Sequence, residues 1–160
     1  EICFVPDKDY GRFLQQARLV EKHRGEIVDL QGKVIGHHEG IEFYTIGQRK
    51  GLGLSSPKPL YVIELDSENN RVIVGDDSAL ERDEFIVERC NWIPFDDPPQ
   101  TLRASAKMRY YHPGADATIT PMEHGKASVK LDVPQRAVTP GQACVFYDGD
   151  LVLGGGWIAR

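Results

Sequence analysis

Three cysteines, Cys3, Cys90 and Cys144, offer the most recognisable chemistry in this sequence. Their odd number, their wide spacing and the lack of a Cys-x-x-Cys pair argue against a disulfide framework or a zinc site, and favour a reducing, cytosolic setting. Cys3 lies just before a predicted helix start, where the helix dipole could lower the pKa of a nucleophilic thiol. The alternative is a buried structural thiol, the commoner fate of a lone cysteine. Cys90 and Cys144 lie in apolar, strand-like segments and are expected in the core.

Two other motifs contain residue types that bind metals or phosphates, and neither is expected to do so. His37, His38 and Glu39 are adjacent, but neighbouring side chains diverge in a strand and no second ligand pair presents itself, so no metal site is predicted. Residues 47–51 are rich in glycine and cations. They lack the Gly-Lys-Ser/Thr that completes a phosphate loop after a strand.

Charge is unevenly distributed along the 160 residues, whose net charge is −5. Residues 64–97 contain 11 acidic and 3 basic residues, a net charge of −8, whereas residues 47–61 and 101–113 contain no acid. Two basic islands in an acidic chain are compatible with contact to RNA, and also with ordinary solvated faces. The cations of the islands are Arg49, Lys50, Lys58, Arg103, Lys107 and Arg109.

The first half of the chain is expected to contain one helix and two hairpins. The helix is capped by Asp7, and an apolar stripe of Tyr10, Phe13, Leu14 and Ala17 follows at helical spacing. The hairpins are predicted from strand-like runs on either side of two polar connections, Gln31-Gly32 and residues 66–70. Residues 36–59 hold so many glycines that no regular structure is predicted there.

The second half predicts a different architecture. An acidic linker is expected through Asp83 and Glu84, followed by short strands at the spacing of a small closed barrel. Trp92 and Trp157 are expected to anchor its core. The strands are predicted at 85–93, 102–110, 117–120, 127–133, 143–147 and 151–153. The chain is therefore expected to be mainly β, with a small mixed subdomain carrying one N-terminal helix at 1–80 and an antiparallel β-barrel at 81–160.

Nothing in the sequence predicts contact with a membrane. No apolar run is long enough to span one. Residues 1–6 contain neither an initiator Met nor the basic and apolar regions of a signal peptide, so the sequence is expected to begin inside a longer protein.

Several blocks of residues, taken in order, resemble the bacterial and organellar family of tRNA-specific 2-thiouridylases. The resemblance runs from the first residue nearly to the last. No single block is specific, but the set in this order and spacing is. The blocks are Ile2-Cys3-Phe4-Val5, residues 36–40 running into 44–53, Lys107-Met108-Arg109-Tyr110, residues 137–143 with 145–147, and Leu153-Gly154-Gly155-Gly156.

The resemblance implies a central domain and a C-terminal β-barrel similar to the second domain of elongation factor Tu. Members of this family also have an N-terminal ATP-pyrophosphatase domain, which uses ATP with Mg. Neither its Ser-Gly-Gly-x-Asp-Ser loop nor its catalytic cysteine occurs here, so no cofactor is expected in this part. The implied reaction adenylates the C2 oxygen of a wobble uridine in tRNA and replaces it with sulfur. The implied partners are that tRNA, a persulfide sulfur-donor protein and the N-terminal domain.

The resemblance also assigns individual residues. Cys3 matches the cysteine that carries the persulfide, whose outer sulfur is ionised near neutral pH and attacks an activated carbon well. Arg109 and Tyr110 match barrel residues that contact tRNA, where an Arg binds phosphate and a Tyr stacks on an unpaired base. Gln142 matches another tRNA-contacting position. Pro140 and Gly141 before it predict an exposed turn at the barrel rim.

The loop containing Gln48, Arg49 and Lys50 has two open interpretations. Its cations could meet tRNA phosphates, or the loop could dock on the N-terminal domain and shape the site around Cys3. Two other hypotheses apply to the whole chain. One is a stand-alone RNA- or protein-binding barrel without catalysis, and the other is a structural domain whose basic islands are incidental.

Overall fold

The computed structural model describes residues 23–109, 111 and 113–159. The chain divides into two compact units, Glu1–Ala79 and Leu80–Arg160. The helix predicted around Tyr10 lies outside the described residues. No helical segment among those described is long and apolar enough to cross a membrane.

The described residues form ten strands and three short 3-10 helices. The strands are β1 (Gly25–Val28), β2 (Val34–His38), β3 (Tyr61–Asp66), β4 (Arg71–Gly75), β5 (Glu81–Trp92), β6 (Leu102–Lys107), β7 (Ala115–Met122), β8 (Lys126–Arg136), β9 (Ala143–Asp148) and β10 (Leu151–Ile158). The 3-10 helices are Ile41–Phe43, Asp77–Leu80 and Glu123–Gly125.

A mixed four-stranded sheet in the order β2-β1-β4-β3 forms the first unit. Both predicted hairpins are confirmed, because β1 pairs antiparallel with β2 and β3 pairs antiparallel with β4. A parallel pairing between β1 and β4 joins the hairpins. In the first turn, the Asp29 carboxylate accepts hydrogen bonds from the backbone N–H groups of Gln31 and Lys33, at 3.0 and 2.9 Å. A short Asp side chain is suited to such a turn.

The glycine-rich segment that follows β2 covers part of this sheet. Leu52 is buried with Ile27, Val62 and the two valines of β4, and the segment adds partly buried apolar side chains around them. The prediction that 36–59 lacks regular structure was wrong at its start, because Gly36 lies within β2. A side chain at Gly36 would collide with Leu54, so this glycine serves close packing rather than a turn.

The second unit is a closed six-stranded barrel in the order β10-β5-β8-β7-β6-β9, with every neighbouring pair antiparallel. This confirms the predicted mainly β fold with an antiparallel barrel. A barrel of six strands has a narrow interior, which small side chains suit. Ala106, Ala117 and Ala127 are fully buried there, beside the large Phe146. Trp92 stacks on Phe146 with ring centroids 5.7 Å apart, so it anchors the core as predicted.

Three expectations for this half were wrong. Asp83 and Glu84 belong to β5 rather than to a linker, because this segment pairs with β8, with Glu84 opposite Lys130. The Lys130 ammonium also pairs with both carboxylates, at 2.7 and 3.7 Å. β6 ends at Lys107 instead of reaching Tyr110, which lies outside the described residues. Trp157 is not a core residue, because 49% of its surface is exposed.

Three consecutive glycines in β10 allow the barrel to close. A Cβ atom at Gly155 would clash with the carbonyl oxygen of Cys144 in β9. A Cβ atom at Gly156 would clash with the carbonyl oxygen of Glu88 in β5. Neither glycine needs a left-handed backbone, so the requirement is steric. The glycines let the backbone of β10 approach both neighbouring strands closely.

We predict that Gly156→Ala destabilises the protein by about 3 kcal/mol, because the added methyl group would force β5 and β10 apart. Urea unfolding followed by tryptophan fluorescence measures the change. The control is Gly149→Ala in the β9–β10 turn, where φ is +55° and no atom lies within 4 Å of the added carbon. Backbone strain alone should cost about 1 kcal/mol there. Equal losses in the two variants would contradict the steric explanation.

Candidate nucleic-acid interface

Arg109 lies directly after β6, exposed at one end of the barrel. Its Nη2 donates a hydrogen bond to the backbone carbonyl of Arg136, the last residue of β8, at 3.0 Å. A carbonyl oxygen carries no formal charge, so this bond orients the guanidinium without neutralising it. Within the described part of the chain, no carboxylate forms an ion pair with Arg109. The guanidinium therefore keeps its charge and further N–H donors for an anion.

Arg103 belongs to the same predicted basic island, but its charge is already matched. Its two terminal nitrogens donate to the two carboxylate oxygens of Asp132, at 2.8 and 2.6 Å, and Nη1 also contacts Thr118 Oγ1 at 3.0 Å. The hydrogen bonds from Arg103 lower the pKa of Asp132, so the carboxylate stays ionised. The usable basic island is therefore smaller than the sequence indicated.

Gln142 closes a tight turn, as expected from Pro140 and Gly141. Gly141 has φ +81°, and the Gln142 N–H donates to the Thr139 carbonyl at 3.3 Å. The side chain is half-buried rather than exposed. Its Oε1 is buried and accepts no hydrogen bond among the described residues. A buried acceptor without a partner costs about 1–3 kcal/mol.

The barrel brings Arg109 and Gln142 to the same end. β6 and β9 pair as far as Lys107 opposite Val145, and Arg109 and Gln142 both lie beyond that end of the pairing, where β9 begins at Ala143. Gln142 directly precedes Ala143. The structure therefore gathers two of the three predicted barrel contacts, and the third, Tyr110, lies outside the described residues. The Arg136 carbonyl that orients Arg109 had no signal in the sequence, because a backbone acceptor can belong to any residue type.

The loop after the first 3-10 helix is shaped by Gln48. The Gln48 Oε1 accepts from the Thr45 N–H and its Nε2 donates to the Lys50 carbonyl, both at 3.0 Å. The side-chain amide is thereby used within the loop, which makes Gln48 a positioning residue. Arg49 and Lys50 are exposed.

A pocket of about 370 Å³ opens beside this loop. Arg49 and Lys58 line it together with Ser56, and most of the remaining lining comes from the glycines, prolines and leucines of residues 51–60. Two cations and a hydroxyl around one concavity suit an anionic group. Lys58 was counted in the basic island, but the sequence did not indicate that it shares a pocket with Arg49.

His38 serves the sheet of the first unit. It is buried, its Nδ1 accepts the Gly40 N–H at 3.1 Å, and its Nε2 lies 3.2 Å from the Asn70 carbonyl. Nδ1 is thus an acceptor, and the Asn70 carbonyl can accept a hydrogen bond from Nε2. The adjacent His37 is exposed. Among the described residues, no group of three or more His, Cys, Asp or Glu side chains could hold a metal ion.

The two described cysteines are poor nucleophiles. Burial raises the pKa of Cys90 to about 11. Burial, with a smaller contribution from nearby Cys90, raises the pKa of Cys144 to about 12. Both pack in or against the barrel core, as predicted. Cys3 lies outside the described residues, so its catalytic role stays a prediction.

Comparison with known proteins identifies relatives over both units. A family model described as the tRNA methyl transferase PRC-barrel domain matches residues 11–76, and one described as the aminomethyltransferase beta-barrel domain matches residues 82–158. The chain is 51% identical over its whole length to the tRNA-specific 2-thiouridylase MnmA 1 of Thermoanaerobacter sp. strain X514, of which it covers 44%. It is 52% identical to the tRNA-specific 2-thiouridylase MnmA of Chlorobium phaeobacteroides, again over the whole chain and 45% of that protein.

These similarities show that the chain belongs to the family of tRNA-specific 2-thiouridylases and matches the C-terminal part of its members. The chain spans less than half the length of the relatives it matches. The resemblance found in the sequence is therefore confirmed at the level of the family.

We predict that Cys90 and Cys144 resist alkylation by iodoacetamide at pH 8 in the folded chain. At a pKa of about 11, roughly one Cys90 thiol in a thousand is ionised at this pH, and Cys144 is still less ionised and fully buried. Mass spectrometry of peptides locates the modified residues. In urea all three cysteines should react, which controls for peptide recovery. Labelling of Cys90 in the folded chain as fast as in urea would contradict the buried-thiol assignment.

Proposed function

We propose that this chain docks a tRNA with a wobble uridine during 2-thiouridine synthesis by a longer cytosolic protein. The main support is the barrel end that holds both Arg109 and Gln142, where no carboxylate among the described residues forms an ion pair with Arg109. The Arg109 guanidinium suits a phosphate, and an amide such as that of Gln142 can hydrogen-bond to a base or ribose. Family membership makes tRNA the polyanion that this surface would meet.

The pocket of the first unit is proposed as a second contact with the same tRNA. Arg49 and Lys58 both line a concavity wide enough for a phosphate group, which we take to favour RNA contact over docking on another domain. The other interpretation of this loop, an interface with an N-terminal domain, predicts that Arg49→Ala leaves RNA binding by this chain unchanged.

We further propose that the parent protein supplies the activation chemistry. An N-terminal ATP-pyrophosphatase domain, using ATP with Mg, would adenylate the C2 oxygen of uridine, so that AMP carries this oxygen away. Cys3 would carry the incoming sulfur as a persulfide loaded by a sulfur-donor protein. In one form of the step, the outer sulfur attacks C2, AMP leaves, and a second cysteine of the parent attacks the Cys3 sulfur, which frees the thiouridine and leaves a Cys–Cys disulfide. In the other form, the second cysteine attacks the Cys3 sulfur first, which forms the same disulfide and releases hydrosulfide, and the hydrosulfide then attacks C2 and displaces AMP. Either form needs an external thiol reductant to reopen the disulfide before the next turnover. Cys90 and Cys144 do not suit this role, because burial keeps their thiols protonated near neutral pH.

The competing function is a stand-alone RNA- or protein-binding barrel. It shares the docking surface but gives Cys3 no role. Substitution of Cys3 therefore distinguishes the two functions, because only the thiolation function needs this residue. Substitution of Arg109 tests tRNA docking, which a stand-alone RNA-binding barrel would also require.

We predict that Arg109→Ala weakens binding of an unmodified wobble-uridine tRNA about tenfold, the loss of about 1.4 kcal/mol. The reason is the loss of one phosphate contact, so the slope of log K against log salt should also decrease by about one. Filter binding at several salt concentrations measures both quantities.

Arg103→Ala is the matched control, because it removes the same charge from the same barrel. Arg103 is already paired with Asp132, so its loss should leave the salt slope nearly unchanged. Equal effects of the two substitutions would show that net charge matters and that the Arg109 surface is not a specific site.

We predict that Cys3→Ser in the full-length parent abolishes tRNA thiolation but leaves tRNA binding within about twofold, because a hydroxyl group cannot carry sulfane sulfur. Thiolated nucleosides are quantified by mass spectrometry. Cys90→Ser should retain thiolation, which provides the matched control. The 160-residue chain alone should not thiolate tRNA, since it lacks the expected ATP domain. Retained activity in Cys3→Ser would remove Cys3 from the mechanism.

A further inference from the structure

Trp157 is exposed, although it lies within a strand of a closed barrel. Half of its surface is accessible, at 49%, whereas Trp92 stacks on Phe146 inside. Within the described part of the chain, the Trp157 indole makes no ring contact and no hydrogen bond. Tryptophan is enriched at binding surfaces, because its ring offers a large apolar face and its N–H a polar edge.

Strand register defines what surrounds this indole. Trp157 pairs with Ala143 on β9 and with Glu88 on β5. Cross-strand partners point to the same side of a sheet, so these two residues flank the ring on the outer surface of the barrel. Ala143 has only a methyl group, which leaves that side of the indole uncovered. Glu88 adds a negative charge on the other side.

The same end of the barrel contains the proposed tRNA contacts. The Ile158 N–H donates to the Gln142 carbonyl at 2.8 Å, and the Gly141 N–H donates to the Ile158 carbonyl at 2.8 Å. Trp157 is thus held one residue from the Gln142 turn. Arg109 follows β6, which lies on the far side of β9 from β10. Neighbouring strands lie about 5 Å apart, so β6 and β10 are about 10 Å apart across β9.

We propose that Trp157 is a stacking platform for an unpaired base of the tRNA bound at this end. The inference rests on the proposed docking function and adds a residue to it. Arg109 would bind the phosphate and the indole would take the adjacent base. The Glu88 carboxylate repels a phosphate but not the uncharged face of a base. It therefore favours a base at Trp157 and the phosphate at Arg109. Stacking on an aromatic face is the usual way in which proteins hold unpaired bases.

The test combines affinity with fluorescence, because Trp92 and Trp157 are the only tryptophans. Trp157→Ala should weaken binding of unmodified wobble-uridine tRNA about tenfold and leave the salt slope unchanged, since stacking releases no counterions. Trp157→Phe should keep most of the affinity. Saturating tRNA should quench the wild-type emission. It should not quench that of Trp157→Phe, in which Trp92 alone remains.

Leu151→Ala is the matched control, an exposed apolar residue on the same strand at the other end of the barrel. It should leave affinity unchanged, and urea midpoints should show that all variants fold. A fully base-paired RNA duplex should not quench Trp157. If Trp157→Ala binds like wild type while Arg109→Ala still weakens binding, this inference is overturned and the docking function stands. If the wild-type chain binds no tRNA, both are overturned.

Discussion

The close approach of β10 to its two neighbours is the constraint on which the barrel depends. Side chains at Gly155 and Gly156 would clash with backbone carbonyl oxygens in β9 and β5. Only glycine allows the last strand to complete the cylinder. Closure also fixes the barrel end that contains Gln142. Ile158, at the end of β10, holds the Gln142 turn through two backbone hydrogen bonds. The candidate interface therefore depends on a contact in which no functional side chain takes part.

Internal pairing decides which charges of this acidic chain can meet RNA. Arg103 is held by Asp132, and Lys130 is held by Asp83 and Glu84. The positive charge of Arg103 and Lys130 is largely balanced by these carboxylates, so little of it is available to attract a ligand. Arg109 is oriented by a backbone carbonyl instead, and so keeps its full charge. An overall charge of −5 is thus compatible with a local site for a polyanion.

Local patterns predicted most of the fold, whereas contacts between distant residues were not predictable. The Gln31-Gly32 turn and the polar connection 66–70 predicted their hairpins, because turn chemistry acts within a few residues. The pairing of Arg103 with Asp132 joins residues 29 positions apart, and no local pattern indicates it. The same holds for Lys130 and for the Leu54 side chain that requires Gly36. For the site, family motifs located Arg109 and Gln142, but the burial of the Gln142 amide oxygen needed the three-dimensional packing.

The pairing irregularities in β10 have a consequence for how this strand tolerates change. Strict alternation from the buried Leu153 would place Trp157 inside and Ile158 outside, yet the structure has the opposite arrangement. The register shifts around the glycine run reverse the phase of the alternation within one strand. Losing or gaining one glycine would scarcely alter composition or charge. It would nevertheless turn Ile158 to the outer surface in place of Trp157. The narrow barrel interior would then have to accommodate Trp157 in addition to Trp92. The length of this run is therefore as much a part of the interface as the side chains that it presents.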